Sequence, residues 1–253
     1  MAEWELWVDD EPRPGWANMA VDHALLERAD QSGERWLRLY RWSPFCLSFG
    51  RHEPATRRYN ASRIAMLGID TVRRPTGGRA VWHARELTYA VAAPAAGFGS
   101  LRTAYLEIHR MLAGALTQLG AQACLAPEGG TPSLDAGACF AQAVGGEITV
   151  GGRKVTGSAQ LRMGNALLQH GSILLQDDQA VVRELTAGGS RPEAATSDVA
   201  PWAPWSDVAG AIVNQAQRRW PGRWNRRSDR SSILSGASTH YERYRSAAWT
   251  WAR

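Results

Sequence analysis

Apolar residues recur at helical spacing in two long segments of the chain. In residues 17–29, ANMAVDHALLERA, they stand three and four positions apart, and the opposite side is polar. Residues 100–120, SLRTAYLEIHRMLAGALTQLG, repeat this pattern over more turns. Because side chains at those spacings share one face of a helix, both segments predict amphipathic helices. Ser100 suits the N-cap of the second helix, and Gly120 suits its C-terminal stop.

Shorter runs rich in aromatic and apolar residues predict strands between these helices. They read ERWLRLYRW, FCLSFGR and ELTYAVAAP. Two weaker helices are expected near residues 207–219 and 238–251, and residues 187–206 are expected to form a loop. Since strands and helices do not alternate regularly, we expect an α/β (α+β) fold with a mixed, largely antiparallel sheet flanked by helices. A single domain is expected to span residues 1–253.

A glycine pair divides the segment EITVGGRKVTGSAQLR into two alternating runs. Gly151 and Gly152 predict a two-residue hairpin turn, which sets Thr149 opposite Lys154. Side chains alternate between the faces of a strand, so one face is polar and the other is apolar. The polar face carries Glu147, Thr149, Lys154, Thr156, Ser158 and Gln160, and the apolar face carries Ile148, Val150, Val155, Ala159 and Leu161. We expect the apolar face to pack on the core; the polar face is either the floor of a cleft or plain solvent-exposed surface.

Lysine usage favours the cleft. Lys154 is the only lysine among 29 Lys and Arg residues. The two residues are nearly interchangeable as surface cations, but they differ where an amine must titrate or fit a small pocket. The formal net charge of +5 favours acidic partners. The arginines are scattered, however, and their densest run, residues 218–230, matches no nucleic-acid-binding motif, so no nucleic-acid partner is expected.

The cysteines and the apolar runs exclude several classes of protein. Three cysteines without CxxC spacing predict neither a disulfide framework nor a zinc site. No apolar run approaches the length of a membrane span, and the acidic start of the chain lacks a signal-peptide core. We therefore expect a cytoplasmic protein with no membrane partner and no metal.

Two further features are candidates for chemistry. The segment RRPTGGRAVWH, residues 73–83, joins two arginines to two glycines, which leave backbone N–H groups open to a ligand. The arginines could fork around a carboxylate, a phosphate or phosphopantetheine, although the spacing matches neither phosphate-loop motif. Cys139 lies in a polar, glycine-rich stretch, which distinguishes it from Cys46 and Cys124, both expected to be small buried residues.

These segments together resemble the biotin/lipoate protein ligase (A/B) family over about residues 4–200. RRPTGGRAVWH, ELTYAV and GGRKVTGSAQLRMGNALLQHGSILL are similar to its acyl-binding and lysine-bearing motifs, in the same order. NMAVDHALL is similar to its first helix, and YERYRSAAWTW to a closing motif. The resemblance implies the fold of that catalytic domain. It also implies a substrate site formed by Arg73, Arg74, Thr76, Gly77, Gly78, Arg79, His83, Gly157, Ser158, Ala159 and His170.

Two chemistries compete within this family. ATP-dependent lipoate ligases form a lipoyl-adenylate with ATP and Mg and need no cysteine. Octanoyltransferases of the LipM type use a cysteine to take octanoyl from acyl carrier protein. They pass it to a lysine of a lipoyl-domain protein, such as glycine-cleavage H protein or an E2 domain. Here Arg79 follows the glycine pair and Cys139-Phe140 matches the nucleophile position, as in the transferases, although the following AQAVGGE lacks their Pro-Ser and Tyr-Glu.

The resemblance therefore implies a monomeric octanoyltransferase without a required cofactor, with Cys139 and Lys154 as its catalytic residues. An ammonium within about 4–6 Å would lower the thiol pKa from its usual value of about 8.5. Lys154 could also accept a proton from the incoming amine. The octanoyl tail would lie against Gly77, Gly78, Val81 and Trp82. The alternatives are the ATP-dependent ligase and a non-catalytic acyl- or nucleic-acid-binding protein.

Overall fold

The computed structural model describes residues 2–127, 140, 145–176, 178–189, 203–228 and 230–252. Its strands are β1 Glu3–Arg13, β2 Trp36–Trp42, β3 Cys46–Phe49, β4 Asp70–Arg73, β5 Val81–His83, β6 Glu86–Pro94, β7 Ala123–Leu125, β8 Ile148–Val150, β9 Arg153–Lys154, β10 Thr156–Met163, β11 Ala166–Leu174 and β12 Arg223–Arg226. Its helices are α1 Gly15–Ser32, α2 Ala55–Arg58, α3 Ala61–Met66, α4 Leu101–Gln118, α5 Val181–Glu184, α6 Trp205–Arg219, α7 Ser231–Ser238, α8 Tyr241–Arg245 and α9 Ala247–Thr250.

A six-stranded sheet in the order β10-β11-β6-β2-β1-β12 forms the centre of the fold. The first four strands pair antiparallel, and β1 pairs parallel with both β2 and β12. The expected α/β class with a mixed, largely antiparallel sheet is therefore confirmed. Strand β6 lies in the middle of this sheet and is buried along nearly its whole length, because helices cover both faces.

Two apolar clusters fill the space between the sheet and its helices. On one face, α4 and α6 pack against residues such as Leu37, Leu87 and Tyr89. On the other face, α1 and α7 pack against Trp36 and Ala90. Helix α4 begins at the predicted cap, where the Ser100 side chain accepts a hydrogen bond from the Thr103 backbone N–H. The two long helices that the apolar spacing predicted are therefore confirmed, each on its own face of the sheet.

Two three-stranded sheets flank the large one, in the orders β4-β3-β5 and β7-β8-β9. The predicted hairpin is present, with Thr149 opposite Lys154. Its second strand does not continue in one sheet, because β9 pairs with β8 whereas β10 pairs with β11. Val155 lies at the change: its N–H donates to Ile148 O, and its carbonyl accepts from Leu174 N. One strand thus carries Lys154 in a small sheet and the following residues in the large sheet.

Other elements differ from the sequence-based expectations. Strand β1 was not predicted, although it contributes two parallel pairings to the main sheet. The expected helix over 238–251 is divided at Ser246, whose extended backbone ends α8 and whose side chain caps α9. Cys46 is buried as expected, but Cys124 is exposed on β7, so its expected burial is wrong. Within the described part of the chain, no helix combines the length and the apolar character that crossing a bilayer requires.

Candidate functional site

A cavity opens between α1, the end of the large sheet and the arginine–glycine loop. We call this loop, residues 73–79, the RG loop. The cavity is lined by Met19, Tyr40, Trp42, Arg74, Gly78, Val81, His83, Thr88, Gly157, Ser158, Ala159, His170, Gly171 and Ser172. Most of its wall is apolar or bare backbone, and its polar side chains are bonded to other protein groups. This is the usual composition of a pocket for a small, mainly apolar ligand.

Close backbone approaches shape two walls of the cavity. At Gly171 a Cβ atom would lie 2.3 Å from Gly157 O and 2.5 Å from Ser158 Oγ. At Gly50 a Cβ atom would lie 1.8 Å from Gly78 O, so the RG loop rests directly on the backbone after β3. Gly78 itself has φ +88°, a conformation that favours glycine. The glycines therefore bring β10, β11 and the loop together around the empty space.

A hydrogen-bond chain anchors the RG loop to the sheet and to α1. Thr76 Oγ1 lies 2.7 Å from His170 Nε2, and His170 Nδ1 lies 2.8 Å from Asp22 Oδ2. Arg38 and Tyr40 also donate hydrogen bonds to Asp22. Since a carboxylate only accepts, His170 Nδ1 donates to Asp22, and in a neutral ring Nε2 accepts from Thr76. His170 therefore holds the RG loop against α1.

A second hydrogen-bond chain, which runs from Glu86 through His83 to Ser48, contacts Arg74. Ser48 Oγ lies 2.6 Å from His83 Nε2, and His83 Nδ1 lies 2.6 Å from Glu86 Oε1. Burial lowers the pKa of the His83 imidazole. Ser48 is fully buried, and its Oγ accepts a hydrogen bond from Arg74 Nη1. The order hydroxyl–imidazole–carboxylate is that of a nucleophile relay, but here the hydroxyl binds Arg74 and does not line the cavity.

The paired arginines hold protein backbone instead of forming an anion fork. Arg74 donates to the carbonyl groups of Ser48, Gly77 and Arg79. Arg73 is 1% exposed, and its guanidinium group binds carbonyl oxygens in two distant segments. These carbonyls belong to Gly50, Arg51, Glu53, Trp249, Thr250 and Ala252. Arg73 therefore joins the RG loop to α9 and is separated from the cavity.

The hairpin places Lys154 in a buried ion pair. Lys154 Nζ lies 2.7 Å from Glu147 Oε1, and the two side chains are 4% and 6% exposed. The ring of Phe140 faces the same ammonium, with its centroid 5.4 Å from Nζ. Lys154 is not part of the cavity wall. Cys139 lies outside the described residues.

A wider, polar pocket lies beside the cavity. It is lined by Arg102, Tyr105, Gly145, Glu147, Ser158 and Gln160. Ser158 belongs to both walls, so its side chain marks the boundary between the apolar cavity and this outer pocket. Glu147, the ion-pair partner of Lys154, reaches the outer pocket as well. The polar face that the alternation predicted thus contributes side chains to a cleft.

The structure brings together seven of the eleven expected substrate-binding residues at the cavity. They are Arg74, Gly78, His83, Gly157, Ser158, Ala159 and His170. Thr76 is buried against His170, and Arg73, Gly77 and Arg79 do not line the cavity. Val81 forms part of the expected tail wall, but Trp82 points away, into the cluster around Leu47 and Phe49. Neighbouring strand positions face opposite sides, which explains why Val81 and Trp82 separate.

Sequence reasoning missed His109 and Tyr89. His109 Nε2 lies 2.8 Å from Ser158 Oγ, and Tyr89 OH lies 2.7 Å from the same oxygen. Burial lowers the pKa of His109 to about 4. The available signal was the spacing of His109, four residues after Tyr105 and three before Leu112, which places it on the apolar face of an amphipathic helix, where a buried imidazole requires a polar partner.

One group of side chains away from the cavity has metal-ligand chemistry. Among the described residues, atoms of His23, Glu27 and His240 lie within 4.8 Å of one another. The two imidazole rings stack with centroids 4.0 Å apart and an interplanar angle of 4°. The nitrogen lone pairs therefore lie in two separate, parallel planes and cannot converge on one metal ion, so this arrangement does not fit one.

Comparison with known families and proteins gives consistent results. Residues 14–201 match the family described as the lipoyl protein ligase A/B catalytic domain. Octanoyltransferase LipM from Carboxydothermus hydrogenoformans is 40% identical over 166 residues, which cover 63% of this chain and 61% of the relative. Octanoyltransferase LipM from Moorella thermoacetica is 40% identical over 155 residues, covering 59% of this chain and 57% of the relative. The matches thus span about three-fifths of these relatives.

Solved structures show the same fold at lower identity. A lipoate-protein ligase A bound with ATP superposes with a TM-score of 0.79 at 19% identity, over 99% of both chains. A bi-partite lipoate protein ligase from Thermoplasma acidophilum superposes with a TM-score of 0.72 at 18% identity, over 100% of this chain and 98% of that one. These likenesses establish the architecture of the described elements.

Proposed function

Because this chain belongs to the lipoyl protein ligase A/B catalytic domain family, we propose that it is an octanoyltransferase acting in lipoate assembly. In this proposal it takes an octanoyl group from acyl carrier protein onto Cys139. It then passes the group to a lysine of a lipoyl-domain protein, such as glycine-cleavage H protein or an E2 domain. The names of the LipM relatives, octanoyltransferases, support this proposed activity. The reaction requires no cofactor, and we expect it to take place in the cytoplasm, on a monomer.

The contact between Phe140 and Lys154 is the observation that carries the proposal. Phe140 directly follows Cys139 in the sequence, and its ring faces the Lys154 ammonium at 5.4 Å. A thiolate is the reactive form of cysteine, and a nearby cation lowers the thiol pKa by favouring that form. A nucleophile next to Phe140 would therefore benefit from the only lysine of the chain.

The apolar cavity is suited to the acyl tail. An octanoyl chain offers six methylene groups and a methyl group, and burying each contributes about 0.8 kcal/mol. The total of about 5–6 kcal/mol is enough to hold and orient a flexible chain. With its tail against Met19, Trp42 and Val81, the acyl group would place its reactive carbon near the boundary of the two pockets.

The chemistry then follows in two balanced steps. The Cys139 thiolate attacks the thioester carbonyl of the donor, the bond to the donor sulfur breaks, and the donor thiol leaves with a proton. Lys154 would stabilise negative charge on the thiolate and on the carbonyl oxygen. In the second step a lysine amine of the acceptor attacks the new thioester, and Cys139 is released as a thiol. Exchange of one thioester for another has little free-energy change, so no ATP is consumed.

Intact-mass analysis after mixing with octanoyl carrier protein tests this function. The wild-type chain should gain one octanoyl group, and hydroxylamine should remove it. Cys139→Ser should gain no hydroxylamine-labile group. Cys124→Ser is the matched control, because Cys124 is the exposed cysteine among the described residues, and this variant should load like the wild type.

Other outcomes point to the alternatives. Full transfer by Cys139→Ser would overturn the proposal. AMP release from ATP driven by lipoate would indicate an ATP-dependent ligase, in which Mg and ATP would be required. That alternative cannot use Arg73 and Arg74 as an anion fork in the described conformation, since both guanidinium groups already bind carbonyl oxygens. Binding of octanoyl carrier protein without turnover would indicate a non-catalytic protein.

A further inference from the structure

A continuous hydrogen-bond chain passes through Ser158, which lines both the cavity and the outer pocket. His109 on α4 lies at its start, with Nδ1 2.6 Å from Gly146 O and Nε2 2.8 Å from Ser158 Oγ. Tyr89 OH lies 2.7 Å from the same serine oxygen and accepts a hydrogen bond from Gln169 Nε2. The mechanism above does not use His109, Tyr89 or Gln169.

The carbonyl oxygen of Gly146, at one end of this hydrogen-bond chain, determines the direction of the bonds that follow it. A carbonyl oxygen can only accept, so the hydrogen of the neutral His109 ring lies on Nδ1, facing Gly146. The other ring nitrogen is then a bare acceptor and takes the Ser158 hydroxyl hydrogen. Burial holds the pKa of His109 at about 4, which keeps the ring neutral near pH 7. Since Ser158 has no second hydrogen, Tyr89 must donate to it.

This leaves Ser158 as an acceptor only. A hydroxyl oxygen has two lone pairs, and Tyr89 occupies one of them. Among the described residues no hydrogen bond uses the other lone pair, and Ser158 is partly exposed and lines both pockets. A ligand that contacts the Ser158 oxygen meets a hydrogen-bond acceptor there, and Ser158 offers it no donor. An acyl carbonyl oxygen gains nothing from such a group, whereas an N–H group does.

We propose that Ser158 accepts a hydrogen bond from the attacking lysine amine of the acceptor protein, and that His109 is the positioning residue that commits Ser158 to this role. The proposal rests on the proposed function. The neutral amine forms the new C–N bond at the acyl carbon, and the C–S bond to Cys139 breaks. One amine hydrogen passes to the leaving sulfur, while the other stays on the amide. The Ser158 hydroxyl keeps its own hydrogen, which it donates to His109 Nε2. By accepting an amine N–H, the Ser158 oxygen orients the lone pair of the amine nitrogen towards the acyl carbon.

A two-step measurement separates this role from general damage to the site. The enzyme is first loaded from octanoyl carrier protein, and its loading rate is measured by mass. Glycine-cleavage H protein is then added, and octanoyl amide formation is followed by rapid quenching. Ser158→Ala should slow the transfer step about tenfold, the size expected for one lost hydrogen bond, with loading changed less than about twofold. The H-protein concentration that gives half of the maximal transfer rate should stay within about twofold of the wild-type value.

His109→Asn tests the positioning role. The asparagine amide can still donate to Gly146 O, but it offers Ser158 no acceptor at the Nε2 position. Its transfer step should slow while its loading rate is kept. Thr117→Ala on the same helix is the matched control, because the Thr117 hydroxyl donates to Ala113 O and reaches neither pocket. This control should behave as wild type in both steps.

The outcomes are distinguishable. If wild type does not load at all, the proposed function fails. If wild type loads and Ser158→Ala transfers at the wild-type rate, the role of Ser158 is overturned. Equal slowing of loading and transfer in Ser158→Ala overturns it too, since that result indicates damage common to both steps. If His109→Asn does not fold, the result for Ser158→Ala alone tests the role of Ser158.

Discussion

Lys154 and Glu147 form a buried pair in which each charge depends on the other. Their atoms lie 2.7 Å apart, and both side chains are almost fully shielded from water. Taking two charges out of water is costly, and removing only one partner leaves the other charge in a poorly solvating place. Lys154 and Glu147 therefore depend on one another for stability, and Glu147 also lines the outer pocket.

This dependence predicts an asymmetric response to substitution. Lys154→Met should lower the free energy of unfolding by about 3 kcal/mol, because it removes the ammonium beside the Glu147 carboxylate. Adding Glu147→Gln to the same chain should restore at least half of that loss. Urea unfolding followed by circular dichroism measures both effects. Arg223→Met removes an exposed partner of Glu3, and it should change stability by less than about 0.5 kcal/mol. Equal stabilities for the single and the double variant would contradict the prediction.

At the scale of elements, the pairing of β10 with β11 sets the width of the cavity. Gly171 and Ser158 are directly opposite in the register, and the missing side chain at Gly171 lets Ser158 Oγ lie over the backbone. The RG loop is held against this pair through Thr76 and His170. The cavity thus depends on how closely these strands approach, more than on any one wall residue.

Gly171→Ala should therefore damage both folding and loading. Its Cβ would stand 2.3 Å from Gly157 O and 2.5 Å from Ser158 Oγ, so the strands must separate. We expect a loss of about 1–3 kcal/mol in unfolding free energy, together with slower octanoyl loading. Gly210→Ala on α6 is the control, since its Cβ meets nothing within 4 Å and alanine favours a helix interior. A Gly171→Ala chain as stable as wild type would contradict this account.

The sequence predicted some elements of the site well and others poorly, for physical reasons. The glycine pair at 151 and 152 fixed the hairpin register, because turn length determines which residues are opposite each other. Alternation could not predict the change of sheet at Val155, since the pattern of one strand does not name its partners. The role of Arg73 was missed for a similar reason: three of its acceptors are carbonyls 176 residues or more along the chain, and carbonyls are present at every residue.

At the scale of the whole molecule, two neutral histidines lie on opposite sides of the main sheet. His109 belongs to α4, and His23 belongs to α1, where its Nδ1 lies 2.9 Å from Tyr244 OH. Burial lowers the pKa of each to about 4. Each of these helices therefore packs around a histidine ring that is neutral in the folded chain. In the unfolded chain the same ring takes up a proton near pH 6.5.

Acid should consequently destabilise the whole fold. Between pH 6.5 and pH 4 the unfolded chain binds more protons at these two positions, so stability is fully present above pH 6.5 and falls with decreasing pH. Each histidine contributes a slope of at most about 1.4 kcal/mol per pH unit. Urea midpoints measured at pH 7 and pH 5 should show the drop, and His23→Gln should make it smaller. An unchanged difference between the two pH values in His23→Gln would exclude His23 as a source.

The bonds from Arg73 to α9 have a consequence for biogenesis. While the ribosome is still making the middle of the protein, Arg73 has been synthesised but its acceptors at Trp249, Thr250 and Ala252 have not. The nascent chain must keep that guanidinium hydrated, or paired elsewhere, for the whole interval. The RG loop would then acquire its final support only after translation has passed these positions, which delays acyl chemistry until Ala252 has been synthesised.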